Sequence, residues 1–344
     1  MRIAVAMSGG MDSTAAAFLL KNEGHELLGL HMRLHSASDS SWLQARHAAE
    51  QLGITIRAVD LSLEFCKYVV EPFLDQYLRG LTPSPCPQCN RRIKFGLLRE
   101  RARSLGCDVL ATGHYARIAL SGRLLKGIDT SKDQSYFLFN LPATALGSVL
   151  FPLGDYAKAD IRDMLRREGI AAAHSEESQE LCFIPGGDYR LFLREKGIPE
   201  KPGSILNIRG EYLGRHSGIA HFTVGQRRGL GICAPRPLYV VRIDPAANSV
   251  IVGFKEETLQ QKLWIRNLNV FPLHSVSRGD RFQVKVRSTS RAAWCSVSDI
   301  RQDRIELTLD CPQSGIAPGQ AAVLYLEDEV VGGGWIQGTG SPED

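Results

Sequence analysis

The chain lacks a decisive charge. Its 41 Lys and Arg nearly balance 37 Asp and Glu, for a formal net charge of +4 over 344 residues. That balance neither indicates nor excludes nucleic-acid binding, which depends on local clusters of cations. No apolar run approaches the ~20 residues needed to cross a bilayer, so no membrane partner is expected. The opening residues, Met1-Arg2-Ile3-Ala4-Val5-Ala6-Met7-Ser8, lack the apolar region and cleavage site of a signal peptide. A cytoplasmic location is therefore expected. Low-complexity segments are also missing, because the 16 prolines and 33 glycines are spread along the chain. The eight cysteines, at 66, 86, 89, 107, 182, 233, 295 and 311, include one CxxC pair and no second pair to complete a zinc ribbon. A chain this long, with 44% hydrophobic residues, does not need disulfide staples. Cysteine chemistry therefore points to catalysis or a metal.

What is present is an alternation of short apolar runs and amphipathic stretches in the first third. Residues 2–7, 26–32, 54–59 and 109–112 read as strands; residues 12–22, 41–52, 91–104 and 160–168 read as helices. Strands alternating with helices of this length predict an α/β domain built on a parallel sheet covered on both faces. The pattern changes near Pro199. Short β-rich runs at 239–243, 250–254, 281–286, 304–309 and 321–325 then alternate with turns, as in barrels and sandwiches. The expected organisation is an α/β domain at 1–198, a small β-rich domain at 199–258 and a β-barrel at 259–344.

The sharpest local signal is Ser8-Gly9-Gly10-Met11-Asp12-Ser13, between a strand and a helix. Glycines let the backbone turn tightly against a ligand. A helix N-terminus offers free N–H groups and a positive dipole end, and Ser8 and Ser13 add hydroxyls. Together they predict a pyrophosphate seat. The Gly-Lys-Ser/Thr ending of a Walker loop is absent. An ordinary strand-to-helix turn, capped by Asp12 or Ser13, is the plainer alternative. The run resembles the PP-loop of ATP pyrophosphatases, enzymes that cut ATP between its α and β phosphates and join AMP to a substrate oxygen.

A second signal is Thr82-Pro83-Ser84-Pro85-Cys86-Pro87-Gln88-Cys89-Asn90, followed by the cations Arg91, Arg92 and Lys94. The prolines predict an extended loop. Cys89 is then expected just before a helix, where the dipole and the cations would favour its thiolate. A third cysteine, Cys182, lies in Glu180-Leu181-Cys182-Phe183-Ile184-Pro185-Gly186-Gly187. Its apolar neighbours suit a core residue, while the glycine turn suits an exposed one.

These stretches together resemble the tRNA-specific 2-thiouridylases, the MnmA/TrmU family. So do Leu30-His31-Met32, Ala111-Thr112-Gly113-His114-Tyr115-Ala116-Arg117, Lys132-Asp133-Gln134-Ser135-Tyr136-Phe137, the 178–184 stretch, and His221-Phe222-Thr223-Val224-Gly225-Gln226-Arg227-Arg228-Gly229-Leu230-Gly231. Ala317-Pro318-Gly319-Gln320 and the glycines 332–334 fit as well. The resemblance runs in order through nearly the whole chain. It implies an adenine nucleotide alpha hydrolase-like first domain that binds ATP with magnesium through Ala6, Met7, Ser8, Gly9, Gly10, Met11, Asp12 and Ser13, with Met32 and Gly113 at the adenosine. It makes Cys89 the nucleophile and Cys182 the persulfide carrier that can pair with it. It implies tRNA contacts at Ser84, Pro85, Cys86, His114, Lys132, Asp133, Gln134, Arg287, Ser288 and Gln320, although Ser288 stands where the family pattern has an aromatic. The implied reaction is adenylation of the wobble uridine O2 in tRNAs for Lys, Glu and Gln, then replacement of that oxygen by sulfur. The sulfur would come from a cysteine desulfurase or a relay protein.

Cys86 departs from the family pattern, which usually has an aspartate there. Cys86, Cys89 and Cys182 together resemble the cluster-dependent thiolases, whose three thiolates hold a 4Fe–4S cluster with one iron free to take sulfide. A cluster on these three residues, with free sulfide as donor, is therefore an expectation; the plainer reading makes Cys86 an extra thiol. Two further readings predict different chemistry. An amide-forming PP-loop synthetase would not need Cys89 or Cys182. A non-catalytic RNA-binding iron–sulfur protein would not convert ATP to AMP.

Overall fold

The computed structural model describes residues 1–35, 38–175 and 181–339. Residues 178–180 of the family-like 178–184 stretch therefore lie outside the described residues.

Four strands open the fold: β1 (Arg2–Ala6), β2 (Glu26–Arg33), β3 (Thr55–Asp60) and β4 (Val109–Ala111). A hairpin, β5 (Ala116–Ile118) and β6 (Leu124–Lys126), then leaves the sheet, and β7 (Val149–Leu150) returns to it. The order is β3-β2-β1-β4-β7, with every pair parallel. Ile3, Ala4 and Val5 are fully buried because helices cover both faces of β1. Helix Met11–Asn22 lies close on the sheet through Ala15, Ala16 and Ala17, whose small side chains permit it. Sequence reading missed the helical run from Ser62 to Leu78, which contains a π-turn at Cys66–Val70 between α-helical pieces. Its apolar residues follow a mixed period that suits neither a regular helix nor a strand.

The small second unit pairs β8 (Gly203–Asn207), β9 (Tyr212–His216), β10 (Tyr239–Asp244) and β11 (Ser249–Gly253) in the order β10-β11-β8-β9. It has its own core of Ile205, Phe222, Leu230, Val240, Val250 and Val252. Six antiparallel strands follow: β12 (Leu259–Val270), β13 (Arg281–Lys285), β14 (Ala293–Arg301), β15 (Arg304–Ser314), β16 (Ala321–Leu326) and β17 (Glu329–Thr339). Pairing of β12 with both β15 and β17 closes them into a barrel, which leaves no free edge among the six. The architecture is thus an α/β parallel-sheet domain, a small β-rich unit and a β-barrel.

The barrel is packed against the first domain rather than tethered to it. Residue Leu125 of β6 pairs with Glu329 of β17, so the hairpin extends the barrel sheet. Tyr136 donates its hydroxyl to the Ala321 carbonyl at 2.9 Å, and Asn269 donates to the carbonyls of Phe139 and Leu141 at 2.8 and 3.1 Å. Phe139, Tyr136, Tyr325, Val323 and Val330 share one core with Cys89, Ile93 and Phe95. The glycine run 332–334 is explained here. A Cβ on Gly333 would stand 2.7 Å from the Ala322 carbonyl oxygen and 2.8 Å from the Phe139 ring. Gly333→Ala should therefore destabilise the protein by about 1–3 kcal/mol through overpacking. Urea unfolding measures this, and an unchanged midpoint would show that barrel and domain do not meet as tightly as described.

Candidate active site

The phosphate loop leaves the C-terminal end of β1, between β2 and β4, where the strand order reverses. Ligands of open parallel sheets bind at such a switch point. Gly9 has φ +85°, and a Cβ there would stand 2.5 Å from the Ala45 nitrogen, so only glycine fits. The loop is braced internally. The Ser8 N–H donates to Ser13 Oγ at 3.2 Å, and Ser13 Oγ and Thr14 Oγ1 each donate to the Gly10 carbonyl at 3.0 Å. The helix N-cap is Gly10, with no side-chain cap, rather than Asp12 or Ser13. The leading N–H groups of this helix therefore stay available for an anion. Gly113 packs on the first helical turn, where a Cβ would stand 2.7 Å from the Asp12 carbonyl carbon. Met32 lies near the C-terminal end of β2, paired with Val59 of β3.

Two residues that sequence reading missed complete this end of the sheet. The Tyr115 hydroxyl donates to Asp12 Oδ1 at 3.0 Å, and Lys158 Nζ donates to Asp12 Oδ2 at 3.1 Å. Lys158 opens helix Lys158–Arg167, and its backbone N–H is held by Asp129 at 3.1 Å. A cation in the first turn of a helix opposes the dipole. That mismatch was the available signal that Lys158 serves something other than its helix.

The cysteine segment corrects two expectations. Residues 82–84 are extended, but Pro85 starts a helix, Pro85–Cys89, instead of excluding one. Proline fits the first helical position because its missing N–H has no partner to lose there. The helix continues as a π-helix, Asn90–Leu98, and then as Arg99–Ser104. Cys89 is thus inside a helical run, not ahead of it. It is 8% exposed, within the main core, and burial pushes its thiol up to about 12 despite the opposing charge of Lys94. The expected resting thiolate is overturned because desolvation outweighs the dipole and the cation. Cys86 and Cys182 are raised for the same reason, again against Lys94.

Cys182 lies in a turn where the residue as a whole is exposed, while the protein around its thiol desolvates it. The next residue, Phe183, is buried edge-on against Phe65 and Phe73, with ring centroids 5.6 and 5.2 Å apart. The ring Nε2 of His35, just beyond β2, donates to the Cys182 carbonyl at 3.1 Å. Phe183 and Cys89 belong to one core, and the charge of Cys182 is felt at both Cys86 and Cys89. The three sulfurs therefore share a neighbourhood. Among the described residues, however, no three His, Cys, Asp or Glu side chains stand together as a metal-ligand set. The three thiols differ in exposure: Cys89 is buried, Cys86 half-buried and Cys182 exposed.

The helix bearing Cys89 is held on two sides. Asn90, itself 2% exposed, donates to the Phe137 carbonyl at 3.0 Å, and Arg91 donates to Asn140 Oδ1 at 2.8 Å. On the barrel side the Thr82 N–H donates to the Pro318 carbonyl at 2.8 Å. Gln320 Nε2 donates to the carbonyls of Thr82 and Pro83 at 3.1 and 3.2 Å. Gly319, at φ +92°, allows this approach, since a Cβ would stand 2.8 Å from the Thr82 oxygen.

The other expected tRNA contacts are also tied into the fold. His114 accepts or donates at Nδ1 with Thr112 Oγ1 at 2.7 Å, and its ring packs beside Phe95 and Phe151. Burial holds its pKa well below the ordinary histidine value, so it is neutral near pH 7. Asp133 accepts from the Gly127 and Ser135 backbone N–H groups, and Gln134 accepts from the Tyr115 N–H at 3.1 Å. The Lys132 N–H donates to the Asp129 carbonyl. Arg287 donates to the Val224 carbonyl at 2.6 Å, joining the barrel to the second unit, and Ser288 is half-buried beside it.

Three family models match the chain in order: a tRNA methyl transferase HUP domain over 1–186, a tRNA methyl transferase PRC-barrel domain over 191–254 and an aminomethyltransferase beta-barrel domain over 260–336. A tRNA-specific 2-thiouridylase MnmA from Syntrophotalea carbinolica is 46% identical, across 97% of this chain and 98% of its own. One from Geobacter metallireducens is 44% identical, across 97% and 96%. The chain belongs to the tRNA-specific 2-thiouridylase (MnmA) family. In this thiouridylase-family chain no described helix is long and apolar enough to cross a membrane.

Two measurements probe the site. Lys158→Ala should raise the KM for ATP about tenfold, the loss of roughly one charge-assisted hydrogen bond; an unchanged KM would remove Lys158 from nucleotide binding. Alkylation of Cys89 in the resting protein should rise about tenfold per pH unit from 7 to 10, because a thiol titrating near 12 is still far from saturation there. A plateau by pH 8 would contradict the buried, protonated state.

Proposed function

We propose that this chain is an ATP-dependent tRNA-uridine 2-sulfurtransferase acting on the wobble uridine of tRNAs for Lys, Glu and Gln. The observation that carries the reading is the placement of a pyrophosphate-type loop and two sulfur nucleophiles on one domain of a thiouridylase-family chain. A cytoplasmic location accords with it.

In this reading the free N–H groups after Gly10, with Ser8 and Ser13, take the β and γ phosphates of ATP. Asp12 would hold the magnesium that accompanies them, which would offset the phosphate charge, once its Oδ2 partner Lys158 passed to a phosphate. Gly113 and Met32 border the adenosine. The uridine leaves its stack so that O2 can attack the α phosphorus, with pyrophosphate as the leaving group. Adenylation turns a poor leaving oxygen into a good one.

Sulfur then arrives as a persulfide on exposed Cys182, loaded by a desulfurase or relay protein. Its terminal sulfur attacks C2, and AMP leaves with the original O2. Cys89, giving up its proton to the departing AMP phosphate, attacks Cys182 Sγ, and the electron pair of the broken S–S bond goes to the sulfur on C2. The products are 2-thiouridine and a Cys89–Cys182 disulfide, so two thiols supply the two electrons that reduce the transferred sulfur. Lys94, whose charge reaches all three thiols, offsets the negative charge that develops. Lys132, Asp133, Gln134, His114, Ser84, Pro85, Cys86, Arg287, Ser288 and Gln320 remain the proposed tRNA-facing positions, through the loops they shape. Free sulfide as donor belongs to the cluster reading, in which Cys86, Cys89 and Cys182 would hold the cluster.

The test is turnover of unmodified tRNA with ATP, magnesium and a persulfide donor. One AMP and one pyrophosphate are expected per 2-thiouridine. Cys89→Ser and Cys182→Ser should each lower thiolation at least about 100-fold, the usual loss for a nucleophile, while pyrophosphate release persists. A doubly substituted protein that still thiolates would overturn the assignment, and ATP conversion on a small acid without tRNA would favour an amide-forming synthetase.

A further inference from the structure

Cys86 takes no part in the transfer just described, yet it shares a helix with the nucleophile. Cys86 and Cys89 are three residues apart in helix Pro85–Cys89, so they lie on one face. Such a pair has Cβ atoms about 5–6 Å apart, and a disulfide needs about 3.5–4.5 Å, so closure asks for tightening of that turn. The position favours it. Ser84 is extended at φ −122°, ψ 86°, Pro85 and Pro87 carry no N–H, and the first N–H groups of a helix have no intrahelical partners to lose. The three thiols also form a graded series: Cys89 is buried, Cys86 half-buried and Cys182 exposed. Cys182 is felt electrostatically at both of the others.

We propose that Cys86 is a resolving thiol, which takes over the disulfide left on Cys89 and Cys182 and returns Cys182 to its thiol form for the next sulfur.

This step rests on the persulfide reading. Cys86 Sγ, as thiolate, attacks Cys89 Sγ. The Cys86–Cys89 bond forms, the Cys89–Cys182 bond breaks, and the electron pair leaves on Cys182 Sγ, which takes up a proton in place of the one Cys86 lost to solvent. One disulfide replaces another, so no net oxidation occurs. An external dithiol then supplies two electrons and two protons. Its attack falls on the half-buried Cys86 sulfur and releases Cys89, which is itself out of reach. Lys94 keeps a cation beside whichever sulfur carries the charge. The consequence is a division of labour: Cys182 can be reloaded while the CxxC pair is still being reduced.

The experiment uses the full-length protein, charged with persulfide and given one equivalent of tRNA with ATP and magnesium. Acid quenching, alkylation and peptide mass analysis then locate the disulfide. The wild type is expected to show Cys86 joined to Cys89, with Cys182 alkylated. Cys86→Ser should instead retain Cys89 joined to Cys182, with Cys182 no longer alkylated. Wild type that keeps the Cys89–Cys182 disulfide, with Cys86 alkylated, overturns the proposal even if the variant does not fold. Formation of 2-thiouridine with no disulfide in either protein overturns the persulfide reading itself, and the resolving role with it.

Discussion

The reactive end of the molecule depends on backbone hydrogen bonds made to a short extended segment. Residues 82–84 enter the cysteine helix, and the barrel holds them through the Pro318 carbonyl and the Gln320 amide. Because the segment is anchored there, Pro85 can start a helix, and Cys86 and Cys89 are set one turn apart along it. Asn90 and Arg91 hold the other side through the 137–140 stretch, which is packed under the same barrel. The barrel is therefore part of what positions the helix bearing Cys86 and Cys89. It follows that a contact expected to read tRNA, such as Gln320, also shapes the protein that tRNA meets.

Desolvation is the second governing effect. The local signals around Cys89, a helix and three cations, all favour a thiolate, but burial is stronger and leaves the resting thiol protonated. A thiol kept neutral in the core is protected from oxidation and alkylation. The same logic separates the thiols by exposure, with Cys182 outside and Cys89 inside.

The nucleotide end follows a different logic, in which charge is held ready rather than suppressed. Asp12 is bridged by Tyr115 and Lys158, so the carboxylate has partners before ATP arrives. Lys158 is in turn fixed by Asp129, and Tyr115 by Gln134. The 129–134 loop and the phosphate loop are thus joined by two short hydrogen-bonded routes. In the proposed reaction, these routes link the region expected to face tRNA to the group that binds the phosphates.

Much of this was legible in the residues. The parallel sheet followed from alternating strands and helices, the phosphate loop from two glycines between a strand and a helix, and the barrel from short β-rich runs after Pro199. These are local patterns, set by periodicity and by the steric freedom of glycine. The helix at Pro85–Cys89, the π-helix after it and the raised thiols were not legible, because each arises from packing against residues distant in sequence. Lys158 could be found only through its misfit to its own helix, and its partner Asp12 lies 146 positions away. The sequence by itself determined which groups the protein carries and which elements hold them. The tertiary structure decided which groups meet and which are cut off from water, because burial and long-range hydrogen bonds exist only once the barrel and the sheet have packed together.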